Sequence, residues 1–233
     1  MKRIDLNVDI GEGFAFDEQL LEIATSANVC CGEHAGSPEL TERTIELCRA
    51  MGARIGMHPG FPDRESMGRA MPEQRRLSGY AESIQAQAQR FVDYEFPAYI
   101  KPHGAWYNAL ASPESVPAAV YGGCWGILAG LVFSLRVPVM LLACPRIVGD
   151  LEAARVPLLR EGFADRAYRS DGTLVPRSEP GALLSDLAEI REQVLRIAPK
   201  VDSICLHGDT PGCVEIARSV RDALESARYE VGY

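Results

Sequence analysis

Lysine is scarce in this chain. Of 24 cationic side chains in 233 residues, only Lys2, Lys101 and Lys200 are lysines. Cations do not outnumber acids: 24 Lys and Arg against 32 Asp and Glu give a net charge of −8. Without a basic surplus to neutralise phosphates, nucleic acid is excluded as the main partner. No C-x-x-C occurs among the seven cysteines, whose odd number and adjacent Cys30 and Cys31 fit neither a disulfide framework nor a zinc ribbon. A reducing, cytoplasmic setting is therefore expected. No G-x-x-x-x-G-K-[ST] and no G-x-S-x-G is found, and "GEGFAF" lacks the third glycine of a dinucleotide fingerprint. Charge is absent from residues 116–135, a run long enough to span a bilayer. Gly122, Gly123, Gly126 and Gly130 make it a poor autonomous helix in water. The expected reading is no membrane insertion, but a helix covered by the fold, by a different protein or by a second copy in a homo-oligomer. In "MKRIDLNVDIGEGF", Asp5 and Asp9 interrupt any apolar signal region.

What is present is an alternation of short β-like runs with helical patterns. Strands are predicted over 4–9, 26–31, 53–58, 98–103, 137–143, 156–161 and 202–207. Between them, "SPELTERTIELCRAMG" carries Ser37 as N-cap, Pro38 in the first turn and Gly52 as stop. "TPGCVEIARSVRDAL" repeats the device from Thr210, and residues 72–94 place Leu77, Tyr80, Ile84, Ala88 and Phe91 on one face. Strand–helix alternation implies parallel strands with helical crossovers. Seven strands with no composition break predict a single domain, residues 1–233, built as a (β/α) barrel short of eight strands. A doubly wound open sheet is the alternative.

All four histidines, His34, His58, His103 and His207, fall at or just beyond a predicted strand end, and each is followed within two residues by glycine. In parallel α/β folds that rim is where ligands bind. Strand alternation places Asp5, Asn7 and Asp9 on one face of the first strand, Tyr99, Lys101 and His103 on one face of the fourth, and Cys205 with His207 on the seventh. In a barrel those faces point inward, so carboxylates, imidazoles and one ammonium converge at the mouth. This is equipment for acid–base chemistry, with Asp9 or Glu12 as proton acceptor and Lys101 holding an oxyanion or phosphate. The same residues could bind a divalent metal, although no H-x-x-x-H spacing points to one.

The stretches "DLNVDIGEGF", "TSANVCCGEHAG", "GMHPGFPD", "IKPHGAWYN", "FADRAYRSDGTLVPRSEPGA" and "CLHGDTPGCVEIAR" closely resemble, in order and over nearly the whole chain, the LamB/YcsF family, which contains the A component of the bacterial ATP-dependent 5-oxoprolinase. The resemblance implies a distorted seven-stranded (β/α) TIM-like barrel of the glycoside hydrolase/deacetylase type. It implies a part in opening the lactam of 5-oxoproline to glutamate together with the B and C components. ATP would be hydrolysed by the complex and bound mainly by the partners, in keeping with the missing nucleotide motif. On this reading Asp9, Glu12, His58, Lys101 and His103 are catalytic: Asp9 or Glu12 positions water, His58 and His103 shuttle protons, and Lys101 with Arg166 steadies anionic oxygens. Asn7, His34, Arg166, His207 and Asp209 bind substrate.

The chain departs from the family pattern at Glu33, where an aromatic is usual, at Ser37, in a short stretch between Phe14 and Asp17, and around "RESMGRAM". Glu33 either adds a carboxylate to the site or faces solvent. Asp165 and Arg166 either form a loop ion pair or serve the site. Two other functions compete: a metal-dependent deacetylase-like amidohydrolase, and a non-catalytic lactam- or carboxylate-binding protein.

Overall fold

The computed structural model describes residues 2–233. Among them are seven parallel strands: β1 (Lys2–Ile10), β2 (Ser26–Cys30), β3 (Arg54–His58), β4 (Val139–Leu142), β5 (Leu158–Phe163), β6 (Ser203–His207) and β7 (Tyr229–Val231). Six run in the order β3-β2-β1-β6-β5-β4, and β7 pairs with the start of β1. The expected strand over 98–103 is reduced to bridges at Ile100, which pair it with Met57 and with Val139. These bridges close the ring between β3 and β4, through Lys101 N–H to the Met57 carbonyl and Met140 N–H to the Ile100 carbonyl. Pro102, with no N–H to donate, stops the ladder there. The barrel is thus formed, with residues 99–101 as its shortest stave. β7 is the strand the sequence pattern did not suggest.

The helices are α1 (Asp17–Leu21), α2 (Pro38–Met51), α3 (Leu77–Tyr94), α4 (Gly104–Ala111), α5 (Ala118–Leu135), α6 (Pro145–Ala153), α7 (Leu187–Ile197) and α8 (Cys213–Ser226). α2 follows its sequence signals: the Ser37 hydroxyl accepts from Leu40 N–H, and Gly52 takes the left-handed conformation at φ 71°. α8 starts later than its pattern suggests, because Thr210 is drawn away to donate its hydroxyl to Asp165.

Outward-facing strand residues, among them Ile4, Leu6, Val8, Val29 and Ile204, bury completely against the helices. The inward faces are polar and layered by register, which aligns Asp5 with Ser203, Asn7 with Cys205, and Asp9 with both Asn28 and His207. Buried polar groups of this kind need partners, and here they have them. Asp5 accepts from Thr25, Ser26 and Ser203, while Asn28 donates to Asn7 and to Asp9. Gly56 makes room for the Tyr99 ring, whose hydroxyl donates to Asn28.

α5 is the one helix among the described residues long and apolar enough to cross a membrane. In this fold it packs on α3 and α4 with Val120, Cys124, Leu128 and Leu131 buried, while Phe133 stays 81% exposed. A shallow groove of about 1080 Å³ runs between α3 and α5 past Leu77, Ala81, Gly123 and Gly126.

Candidate active site

The ends of β1, β3, β5 and β6, the 99–103 segment and the loops after them enclose a cavity of about 590 Å³. Asp9 and Lys101 line it, and the Lys101 ammonium lies 2.8 Å from Asp9 Oδ1 and 2.9 Å from Glu161 Oε1. Asn7 Oδ1 and Cys205 Sγ are 3.3 and 3.2 Å from the same nitrogen. Burial alone would strip the proton from Lys101, but the Asp9 and Glu161 carboxylates hold its pKa well above the ordinary value. Burial likewise works to raise Asp9, and Lys101 overrides it, leaving Asp9 well below the usual range. Asp9 Oδ1 is taken by Asn28 and Lys101; Oδ2 is left facing His58, 3.6 Å from Nε2. Glu161 is also fixed from behind by the Tyr107 hydroxyl at 2.8 Å.

Beside this floor, three imidazoles and a carboxylate form a second cluster. His58 ends β3, with Nδ1 2.8 Å from the Lys101 carbonyl and Nε2 2.9 Å from His103 Nδ1. His103 Nε2 is 2.8 Å from the Met67 carbonyl. Met67 holds that carbonyl in place with a left-handed backbone, φ 52°. His34 stacks on His103 with centroids 3.7 Å apart, and its Nε2 lies 3.3 Å from Glu12 Oε1 and 3.3 Å from Cys30 Sγ. Burial pushes His58 down to about 4 and, with the neighbouring His34 and His58, pushes His103 well below its ordinary value. His34 goes the other way: burial opposes its charge, but Cys30 and Glu12 raise it to about 9.

The opposite wall carries His207, at the end of β6. Its Nδ1 is 2.8 Å from Asp165 Oδ1, and its ring stacks on Phe163. Asp165 also accepts from Thr210. Burial works to raise Asp165, and His207 and Thr210 pull it below the ordinary value. Above, Arg69, Arg166 and Arg177 reach the cavity from two loops. Asp209 ties Arg69 and Arg177 together at 2.7 and 3.2 Å. Arg166 donates to the carbonyls of Val175 and Ala182, pinning the 166–182 loop, and burial lowers its pKa to about 10.

The residues expected from sequence therefore meet at one end of the barrel, with a division of place. Asp9, His58, Lys101, His103, Arg166 and His207 line the cavity. Asn7 lies beneath Lys101, Glu12 and His34 lie behind His103, and Asp209 braces the arginines from outside. Asp165 pairs with His207, not with its neighbour Arg166. Glu33 is held by Arg90 of α3 at 2.6 Å, outside the cavity. Glu161, Tyr107, Arg69 and Arg177 were not singled out in the sequence. For Glu161 a signal existed: the period of two puts it on the strand face of Leu159 and Phe163, opposite Arg160, so it has to find a cation inside the barrel.

The LamB/YcsF family model matches residues 4–232. A protein of Bradyrhizobium diazoefficiens, named as its second 5-oxoprolinase A component, is 36% identical, over 99% of this chain and 97% of its own. The 5-oxoprolinase A component of Pyrococcus furiosus is 35% identical, over 98% and 96%. Among solved structures, the lactam utilization protein of Thermus thermophilus superposes with a TM-score of 0.80 at 28% identity, over 99% of both chains. The polysaccharide deacetylase Bc1974 of Bacillus cereus shares the fold, with a TM-score of 0.53 at 15% identity over 100% and 92%.

Proposed function

Because the chain belongs to the LamB/YcsF family, we propose that it is the lactam-opening component of a 5-oxoprolinase, working with partner B and C components to convert 5-oxoproline to glutamate. The observation that carries this reading is the Asp9–Lys101–Glu161 ion-pair system on the floor of a cavity lined by four arginines, Arg69, Arg166, Arg169 and Arg177. An unstrained lactam resists water, so its carbonyl must be activated. ATP supplies that activation, through the partners, by phosphorylation of the lactam oxygen. No phosphate loop occurs in this sequence. Its arginines suit the carboxylate of 5-oxoproline and a phosphoryl group rather than a whole nucleotide.

Within this chain the roles follow from geometry. Lys101 donates its hydrogens to Asp9, Asn7 and Cys205 and pairs by charge with Glu161, so it fixes the Asp9 carboxylate and contributes positive field at the floor. Asp9 Oδ2 orients water toward the carbonyl carbon. As the C–N bond breaks, the ring nitrogen takes a proton, and His207 is placed to relay it. Asp165 fixes the Nδ1 hydrogen of His207 and leaves Nε2 as the working nitrogen. Arg69 and Arg177, braced by Asp209, take the substrate's anionic oxygens, and Arg166 adds charge from the loop it pins. The seven cysteines are all free thiols, which fits a reducing, cytoplasmic setting. The test is glutamate release from 5-oxoproline and ATP by the mixed components, with this chain omitted as control. Dependence of turnover on the chain supports the reading; equal turnover without it contradicts the reading.

A further inference from the structure

We propose that Glu12, His34, His58 and His103 bind one divalent transition-metal ion of the zinc class. The argument begins with hydrogens. The carbonyls of Lys101 and Met67 can only accept, so His58 Nδ1 and His103 Nε2 must each carry the ring hydrogen. In neutral imidazoles this leaves His58 Nε2 and His103 Nδ1 as bare lone pairs, and those two atoms are 2.9 Å apart. Two lone pairs aimed at each other at that distance repel, and a positive centre beside them removes the conflict. A shared proton would satisfy only this one pair and would leave the nearby Glu12 and His34 donor atoms outside it. A metal uses both lone pairs at once.

The surroundings match that use. Glu12 Oε1 lies 3.4 Å from His103 Nδ1 and 3.3 Å from His34 Nε2. The four donor atoms all fall within 4.8 Å of one another. Bonds of about 2.0–2.1 Å in a tetrahedron set ligand–ligand edges of roughly 3.3 Å. The observed 2.9, 3.3 and 3.4 Å edges bracket that value. Two of the three imidazoles carry the backbone-carbonyl contact on the far nitrogen that fixes metal-binding histidines. His34 Nδ1 has no such partner among the described residues. That ring, stacked flat on His103, is therefore the adaptable ligand, free to turn off the stack and aim Nε2 at the ion. Glycines shape the cradle. A Cβ on Gly60 would meet His34 Nδ1 at 2.4 Å, and one on Gly68 would meet His34 Cβ at 2.9 Å and His103 Cδ2 at 3.1 Å. The donor set, three imidazoles and a carboxylate, suits Zn²⁺ and its transition-metal neighbours better than Mg²⁺ or Ca²⁺.

This inference stands apart from the lactam reading, and its test does not use turnover. The purified chain is stripped with a chelator, dialysed against Zn²⁺ and analysed for metal content; parallel samples take Co²⁺ and are read by visible absorption. The expected result is one ion per chain and the strong bands of tetrahedral Co²⁺. Glu12→Gln and His103→Asn should each lower affinity at least about 100-fold, exceeding the loss typical of outer-sphere changes, while His207→Asn keeps the ion. Zinc-edge X-ray absorption of the unsubstituted protein covers the case in which a variant fails to fold, and should show imidazole and oxygen without sulfur. No retained ion, retention unchanged by both ligand variants, loss in His207→Asn alone, or sulfur bound to zinc would each overturn the proposal.

Discussion

Lys101 and Asp9 are held 2.8 Å apart at the floor of the barrel mouth, although 92 residues separate them in the chain. Glu161 flanks the same ammonium at 2.9 Å and is itself wholly buried. The one ammonium therefore serves as counter-ion to both carboxylates.

Removing that charge should be costly. Lys101→Met leaves Asp9 and Glu161 without a counter-ion, and the expected loss of stability is about 3–5 kcal/mol. Adding Glu161→Gln to Lys101→Met should recover much of the stability but not turnover. Urea denaturation of the two variants checks the first claim, and the reconstituted assay checks the second.

Acid sensitivity has a direction. The native Asp165 pKa lies below its ordinary value, so its contribution to stability is present above the usual carboxylate range. That contribution is lost as pH falls through the lowered native pKa. Asp165→Asn should be less stable than the unsubstituted chain at pH 7, and the gap should close as the pH is taken below that range. Turnover should fall about 100-fold or more as His207 loses its fixed orientation. Urea midpoints across pH, with kcat at pH 7, read both.

Arg177 should act on binding more than on chemistry. Arg177→Ala is expected to raise KM for 5-oxoproline about 10- to 100-fold, the worth of one charged hydrogen bond at about 1.5–3 kcal/mol, with a smaller change in kcat. Steady-state kinetics separate the two.

Gly56→Ala tests the barrel interior. The added Cβ would lie 2.1 Å from the Tyr99 ring, which is locked by its hydrogen bond to Asn28. Overpacking of this kind costs about 1–3 kcal/mol, read as a lowered urea midpoint.

Much of this site is legible in the sequence because β geometry has a period of two. The run Asp5, Asn7, Asp9 against Ile4, Leu6, Val8 announces a polar barrel interior before any coordinates exist, and four histidines at strand ends announce the rim. The site motifs that resemble LamB/YcsF fall at these same strand ends. What stays hidden depends on loop paths and on pairings across the barrel. Glu161 gives no sign of which cation it meets, and Arg69 reaches Asp209 over 140 residues of separation. The His58–His103 contact joins two strand ends with no local spacing rule, which is why a search for H-x-x-x-H finds nothing. The apolar run at 116–135 reads as a helix, but which of its faces is buried is decided by α3 and α4.

The most direct test of the central claim is glutamate production by the full set of components with Asp9→Asn in place of the unsubstituted chain, after circular dichroism has shown the barrel intact. Loss of at least about 100-fold in kcat is predicted, the span of a positioned acid–base group. Turnover within about threefold of the unsubstituted complex would contradict the assignment of Asp9, and with it the account of the barrel mouth as the place where the lactam opens.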